Sequence, residues 1–256
     1  MATDIKENIV ELQNNIFQIR TAPPGSHVYL VRGTNKNVLI DASTSDNLPD
    51  IKKCLKVIGL RPEDIHLIIL THEHYDHIGA ATAFFNTSLI AAHTLAANKI
   101  ELQDEFTTLQ YTNTPTRPLH VHIWLENDIT IDLGNYRLQT IYTPGHTSGC
   151  ICIYEPGKRL LFSGDTVFSG GTVSDIRASG NASDYFNSLT RLSAFKVDHL
   201  YPSHGKISDT PAEDIEKARQ QTQTLFEESK ILFEALSQKV IRQRHQKNAG
   251  KSQTNS

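Results

Sequence analysis

The sequence predicts an α+β fold in which helices cover a β-sheet core from the outside. Three observations predict it. Short apolar runs rich in β-branched residues, such as Val28-Tyr29-Leu30-Val31 and Leu67-Ile68-Ile69-Leu70, read as buried strands. Amphipathic stretches at helical spacing separate them. The order runs strands and helices, then strands and helices again, with no visible repeat. A chain of 256 residues has length enough for one large core.

Taken in order, Ile9 to Ile19 reads as two short strands with a turn at Asn14-Asn15. The Pro23-Pro24-Gly25 turn leads into strands at 27–31 and 38–41. Asn47 to Leu60 reads as a helix with Ile51, Leu55 and Ile58 on one face, Pro49 in its first turn and Gly59 at its end. A strand at 66–70 follows, then a helix from Asp76 whose buried stripe is Ile78, Ala81 and Phe85. Ser88 to Ala91 is a strand and Leu95 to Leu102 a helix. Residues 103–118 lack periodicity and carry Asn113-Thr114-Pro115-Thr116-Arg117-Pro118, the composition of a surface loop that shapes a pocket. Strands are expected at 120–123, 128–132, 136–142, 150–154 and 160–162, punctuated by turns at 133–135 and 156–158. The segment 163–180 is Gly/Ser-rich, and Asn181 then caps a helix carrying Tyr185, Leu189 and Leu192. A last strand at 197–201 precedes Thr210-Pro211-Ala212-Glu213, whose capping-box spacing opens a helix to about Val240. The expected organisation is a catalytic domain at 1–208, a C-terminal helical extension of the same domain at 209–241, and a disordered polar tail at 242–256.

A formal net charge of −3 gives no support to nucleic-acid or membrane-surface binding. The three cysteines, Cys54, Cys150 and Cys152, have neither metal-type nor redox-type spacing, and Cys150 and Cys152 read as small buried strand residues. Met1 to Glu7 has no apolar signal core, and no stretch approaches the ~20 apolar residues of a membrane helix. Those features predict a cytoplasmic protein without a membrane segment. The compositional outlier is histidine, with twelve copies.

Thr71-His72-Glu73-His74-Tyr75-Asp76-His77 follows the Leu67–Leu70 run directly and sets three imidazoles and a carboxylate at one strand end. Neutral imidazole nitrogen and carboxylate oxygen suit a borderline divalent ion such as zinc. Three later segments also end an apolar strand in a tight turn with one ligand-type residue. They are Ile141 to Thr147 with His146, Leu161 to Thr166 with Asp165, and Leu200 to Gly205 with His204. Asp41, at a strand end, reads equally as a carboxylate that orients a metal-bound histidine from behind or as a turn aspartate. His27 and His93 lie within reach of a pocket; His66, His120, His122 and His199 read as ordinary surface or strand residues.

In these four segments, in this order and at these separations, the chain resembles the metallo-β-lactamase superfamily over residues 8–208. That resemblance implies an αββα sandwich, two mixed β-sheets with helices on the outer faces. It implies two divalent ions, zinc foremost with iron or manganese as alternatives. His72, His74 and His146 would hold one, Asp76, His77 and His204 the other, with Asp165 bridging them. A hydroxide between the ions would attack a thioester or ester, and Asp76 would steer or receive the proton or serve as a ligand alone. The excess positive charge favours an anionic small-molecule substrate.

Within the superfamily the chain is similar to glyoxalase II, the hydroxyacylglutathione hydrolase, sharing all seven ligand positions and Thr143-Pro144-Gly145-His146-Thr147. It departs at His204-Gly205-Lys206-Ile207 and at Phe168 to Asp175, where that enzyme contacts glutathione, which implies an altered leaving-group pocket. Asp165 argues against a true β-lactamase and His74 against a flavodiiron protein. The alternatives are an N-acyl homoserine lactonase, a short lactamase-like endoribonuclease and a mononuclear iron persulfide dioxygenase. For the nuclease the only support is the basic tail of Lys239, Arg242, Arg244, Lys247 and Lys251.

Overall fold

Two β-sheets pack face to face in the computed structural model, which describes residues 5–108 and 118–252, with side chains as far as Lys239. The first sheet opens as an antiparallel meander of β1 (Ile9–Gln13), β2 (Ile16–Ile19), β3 (Val28–Arg32) and β4 (Asn37–Ile40). Helix α1 (Leu48–Val57) then crosses over to β5 (Leu67–Leu70), which lies parallel to β4. The single turn α2 (Tyr75–Ile78) leads to β6 (Leu89–His93); α3 (Thr94–Glu101) and α4 (Glu105–Thr108) precede β7 (Ile123–Leu125). The strands follow one another in sequence order across this seven-stranded sheet. The change from antiparallel to parallel pairing at β4 follows from the connections, since a tight turn can only reverse the chain and a crossover is needed to repeat its direction.

The second sheet has the order β12-β11-β10-β9-β8. It comprises β8 (Thr130–Asp132), β9 (Arg137–Tyr142), β10 (Ile151–Glu155), β11 (Leu160–Gly164) and β12 (His199–Pro202). Only β11 and β12 are parallel, and α5 (Ala182–Leu192) supplies their crossover. The long α6 (Pro211–Ser252) packs its first turns on α5.

Period-two alternation sends side chains to both faces of each sheet. Tyr29, Val31, Ile40 and Ile69 point between the sheets and meet Ile151, Ile153, Phe162 and Tyr201. Val28, Leu30 and Leu39 point outward onto Ile51, Cys54 and Leu55 around α1. On the other side Ile141, Leu161 and Leu200 meet Tyr185, Leu189 and Leu192 of α5, with Ile215 and Ala218 of α6. Both faces of the central strands are therefore covered, which is why they read as continuous apolar runs. The layers are helix, sheet, sheet, helix, as the resemblance implies.

Four local expectations need correction. The helix expected from Asp76 stops at Gly79 and continues as a tighter turn over Ala81–Phe84. That turn repeats every three residues instead of 3.6, so Phe84 is buried and Phe85 is 36% exposed. The strand expected at 120–123 starts only at Ile123, because Glu101 takes the Val121 amide (2.7 Å) and the His120 ring (2.8 Å). Within 103–118, expected to be loop, Glu105–Thr108 is helical, while 109–117 lie outside the described residues. The C-terminal helix passes its expected end near Val240 and runs to Ser252, and no proline follows Pro211 to interrupt it; of the tail expected at 242–256, residues 253–256 lie outside the described residues.

The three cysteines are buried free thiols, Cys150 and Cys152 buried as expected. Among the described residues no helix is long and apolar enough to cross a membrane.

Phe162 joins the two sheets, with its ring centroid 5.2 Å from Tyr29 and 5.4 Å from Tyr201. Phe162→Ala is expected to cost about 3–5 kcal/mol through lost transfer energy and the cavity left behind. A urea titration reads that loss as a lower unfolding midpoint with the slope retained.

Candidate metal centre

The ends of β4, β5, β11 and β12 and the turn after β9 converge at one end of the sandwich. Asp41 follows β4 with φ 61°, a left-handed conformation that aspartate tolerates better than most residues. Its buried carboxylate lies beneath the turn after β5. Oδ1 accepts from the Thr71 amide (2.8 Å), and Oδ2 accepts from Thr71 Oγ1 (2.9 Å) and Ser203 Oγ (3.0 Å). His77 Nδ1 is 2.8 Å from the same Oδ2. After β9, Gly145 turns the chain into His146 with φ 156°. A Cβ there would stand 2.4 Å from the Tyr185 ring, so only glycine lets this turn seat against α5.

Three ring nitrogens converge first. His74 Nδ1 is 3.0 Å from His72 Nε2 and 3.0 Å from His146 Nε2. Donors held 2.0–2.1 Å from a tetrahedral zinc stand roughly 3.3 Å apart. A second group adjoins them. His204 Nε2 is 3.1 Å from Asp76 Oδ2 and 3.3 Å from His77 Nε2, and His77 Nε2 is 3.5 Å from Asp76 Oδ2. Asp165 stands between the groups. Its Oδ1 is 3.5 Å from His77 Nε2 and 3.7 Å from His204 Nε2, while Oδ2 is 3.7 Å from His146 Nε2. The donor atoms of each triad, and of His72, His77 and Asp165 together, lie within 4.8 Å of one another, so each set could hold an ion.

Two observations test whether these residues fit a cation. Asp165 Oδ1 is buried without a hydrogen-bond partner, and such a group normally finds one or coordinates an ion. The ring protons, moreover, are placed on the far side. His146 Nδ1 donates to the Asp175 carbonyl (2.5 Å), His77 Nδ1 to Asp41, and His72 Nδ1 faces Thr71 Oγ1 (3.1 Å). Those contacts leave Nε2 of all three rings to face the cluster. The residues fit divalent cations.

Charge tells the same story. Burial first, then its imidazole neighbours, pushes His72 well below the ordinary histidine value and His74 down to about 2. His146 is lowered by burial too, with Asp165 opposing. These rings stay neutral, as ligands must. His77 goes the other way: burial would lower it, but Asp76, Asp41 and Asp165 together raise it to about 10. Burial would likewise raise Asp76, yet His77 and the hydrogen bond from His204 hold it well below the carboxylate range. In the metal-free protein a proton on His77 thus stands where cationic charge is wanted, and metal uptake would displace it.

All seven motif residues meet here, with Asp41 behind His77. His27 lies at the edge, its Nε2 3.3 Å from the Gly205 carbonyl. His93 is elsewhere, stacked on Tyr142 with ring centroids 4.2 Å apart. His66 and His122 accept backbone amides (3.1 Å each), His199 meets Gln13, and His120 meets Glu101. Sequence reasoning missed Glu73 and Ser203. Glu73 is fully buried and pairs with Lys99 (2.9 Å). Its signal was present, since a charged residue between two ligand-type histidines after an apolar strand must be buried with them.

The family model described as metallo-beta-lactamase superfamily matches residues 21–204. Among curated relatives, a "Probable metallo-hydrolase" of Methanocaldococcus jannaschii is 34% identical over 195 residues, 73% of this chain and 91% of that protein. An acyl-coenzyme A thioesterase of Gallus gallus is 28% identical over 204 residues, covering 70% of this chain and 72% of that one. A hydroxyacylglutathione hydrolase of Aeromonas hydrophila is 29% identical over 192 residues, 74% of this chain and 65% of its own. The solved subclass B3 metallo-beta-lactamase of Bradyrhizobium japonicum shares the fold, with TM-score 0.71 at 20% identity, 90% of this chain and 96% of that one.

The shifts predict a stability maximum for the metal-free protein. His72, His74 and His146 have folded values below 6.5, so the unfolded chain takes their protons first and stability falls as pH drops below that value. His77, raised to about 10, contributes stability that is complete below 6.5 and fades as pH climbs towards 10. Denaturant midpoints of chelator-treated protein are expected to peak near pH 6.5 and to fall more steeply on the acid side, where His27 and His93, also lowered by burial, act with these three.

Proposed function

The chain belongs to the metallo-beta-lactamase superfamily, and from that premise we propose that it is a hydrolase of thioesters or esters that works with two divalent ions, zinc foremost. The observation that carries the two-ion reading is the placement of Asp165, one carboxylate oxygen turned to His146 and the other to His77 and His204. His72, His74 and His146 would hold one ion, and Asp76, His77 and His204 the other. Ions there would polarise a substrate carbonyl and lower the pKa of water to ~7, so that a nucleophile exists at neutral pH.

The chain's own groups do the rest. Asp41 fixes the ring of His77, and the Asp175 carbonyl fixes that of His146. Asp76 has the most accessible carboxylate of the cluster, with 27% of its side chain exposed against 9% for Asp165. That exposure would let it steer the attacking water besides holding its ion. The Arg177 guanidinium is half exposed and pairs with Asp175 at 3.4 Å, and its charge reaches His74 and His146. The excess positive charge that two divalent ions would bring favours an anionic small-molecule substrate. Thioesters lead because two relatives are named for hydrolysing them, an acyl-coenzyme A thioesterase and a hydroxyacylglutathione hydrolase. Catalysis is assigned to residues 1–208, with 209–241 as an extension of the same unit.

Metal analysis joined to a substrate panel tests this reading. The purified protein is expected to hold two ions per chain, to lose activity on chelation and to regain it with zinc. Acyl-coenzyme A and S-acylglutathione thioesters should turn over faster than homoserine lactones or single-stranded RNA. Asp165→Asn should loosen one ion and lower turnover by about 100-fold or more, beyond the 10–100-fold typical of residues that only support a ligand. A single iron per chain with oxygen consumed on a persulfide would overturn the proposal.

A further inference from the structure

Glu73 lies between two histidines of the cluster, but its carboxylate makes its contacts on another side. Oε1 takes Lys99 Nζ at 2.9 Å and Ser179 Oγ at 3.1 Å; Oε2 takes Thr147 Oγ1 at 2.9 Å. Lys99, from α3, also gives protons to Ser148 Oγ (2.6 Å) and the Leu95 carbonyl (3.3 Å). All three ammonium protons are thereby used.

We propose that Glu73 and Lys99 form a positioning brace that sets His146 against the turn carrying His72 and His74. The inference rests on the metal reading above. The brace holds Thr147 and Ser148, the two residues after His146, and Ser179, in the segment that also brings the Asp175 carbonyl to His146 Nδ1. The closeness is enforced at Gly149, where a Cβ would stand 2.6 Å from Glu73 Oε2 and 2.6 Å from Ala96 Cβ. Stability does not account for the pair. Its side chains are 0% and 15% exposed, and buried ion pairs replaced by apolar residues of like volume are often neutral or stabilising. The geometry points to position instead: the three nitrogens 3.0 Å apart come from two turns that the brace fastens together.

The full-length protein and four variants test the brace: Glu73→Gln, Lys99→Met, Thr147→Val and Thr147→Ser. Zinc affinity is measured by chelator competition, ligand geometry by the visible absorption of the cobalt(II) form, and the melting temperature with and without metal. Glu73→Gln, Lys99→Met and Thr147→Val are expected to bind the ion at His72, His74 and His146 about 10–100-fold less tightly, to change the cobalt spectrum and to gain less melting temperature from zinc. Thr147→Ser, which keeps the hydroxyl, should match the wild type. Wild-type zinc affinity and cobalt spectrum in Thr147→Val and in whichever of the other two variants folds would overturn the brace alone. Wild-type protein that takes up no zinc would overturn the metal reading and the brace with it.

Discussion

The hydrogen bonds gathered by Asp41 are the interaction on which the site depends. One buried carboxylate at the end of β4 receives groups from the turn after β5, from α2 and from the segment after β12. The last of these belongs to the opposite sheet. Two sheets packed face to face share no hydrogen-bonded ladder to register them, and this polar anchor ties them at the site. Tyr29 repeats the device one layer deeper, its hydroxyl donating to the Pro202 carbonyl at 2.6 Å. The positions of His77 and His204 relative to each other follow from these two ties.

A cluster of this kind is unfavourable on its own terms. Five buried or half-buried imidazoles, two further carboxylates and Asp41 crowd one end of the sandwich, and burying a charge without compensation costs several kcal/mol. The metal-free protein answers by keeping His72, His74 and His146 neutral and protonating His77 among three carboxylates. The apolar layers beneath, with Tyr29, Phe162 and Tyr201 filling the gap between sheets, provide the stability that such a centre drains. Rigid strands aim the ligand-type residues, and the turns just beyond them carry the chemistry.

How much of this was legible before the structure depends on distance along the chain. His72, His74, Asp76 and His77 lie within six residues, and His146, Asp165 and His204 each abut the end of an apolar strand; adjacency to a strand end is enough to place them. The same local logic placed the cap at Asn181, whose side chain accepts the Asp184 amide at 2.8 Å. It failed for Phe84 and Phe85, where a three-residue turn replaced the helical period. It failed again at His120 and Val121, because Glu101, twenty residues away from Val121, takes the groups a strand would use.

By itself the sequence determined, from periodicity and turn signals, a β core with helices over it and four strand ends bearing ligand-type residues; the two-sheet sandwich and the joining of seven residues into one site came from the resemblance to the metallo-β-lactamase superfamily. Only the tertiary structure decided what stands behind them. Asp41 turned out to anchor His77 instead of merely ending a turn, Asp165 to face both triads, and Glu73 to reach Lys99 and Thr147. The physical reason is common to all three. A carboxylate's role is set by which groups reach it once water is excluded, and those groups come from segments about 20 to more than 100 residues away, which packing alone brings together.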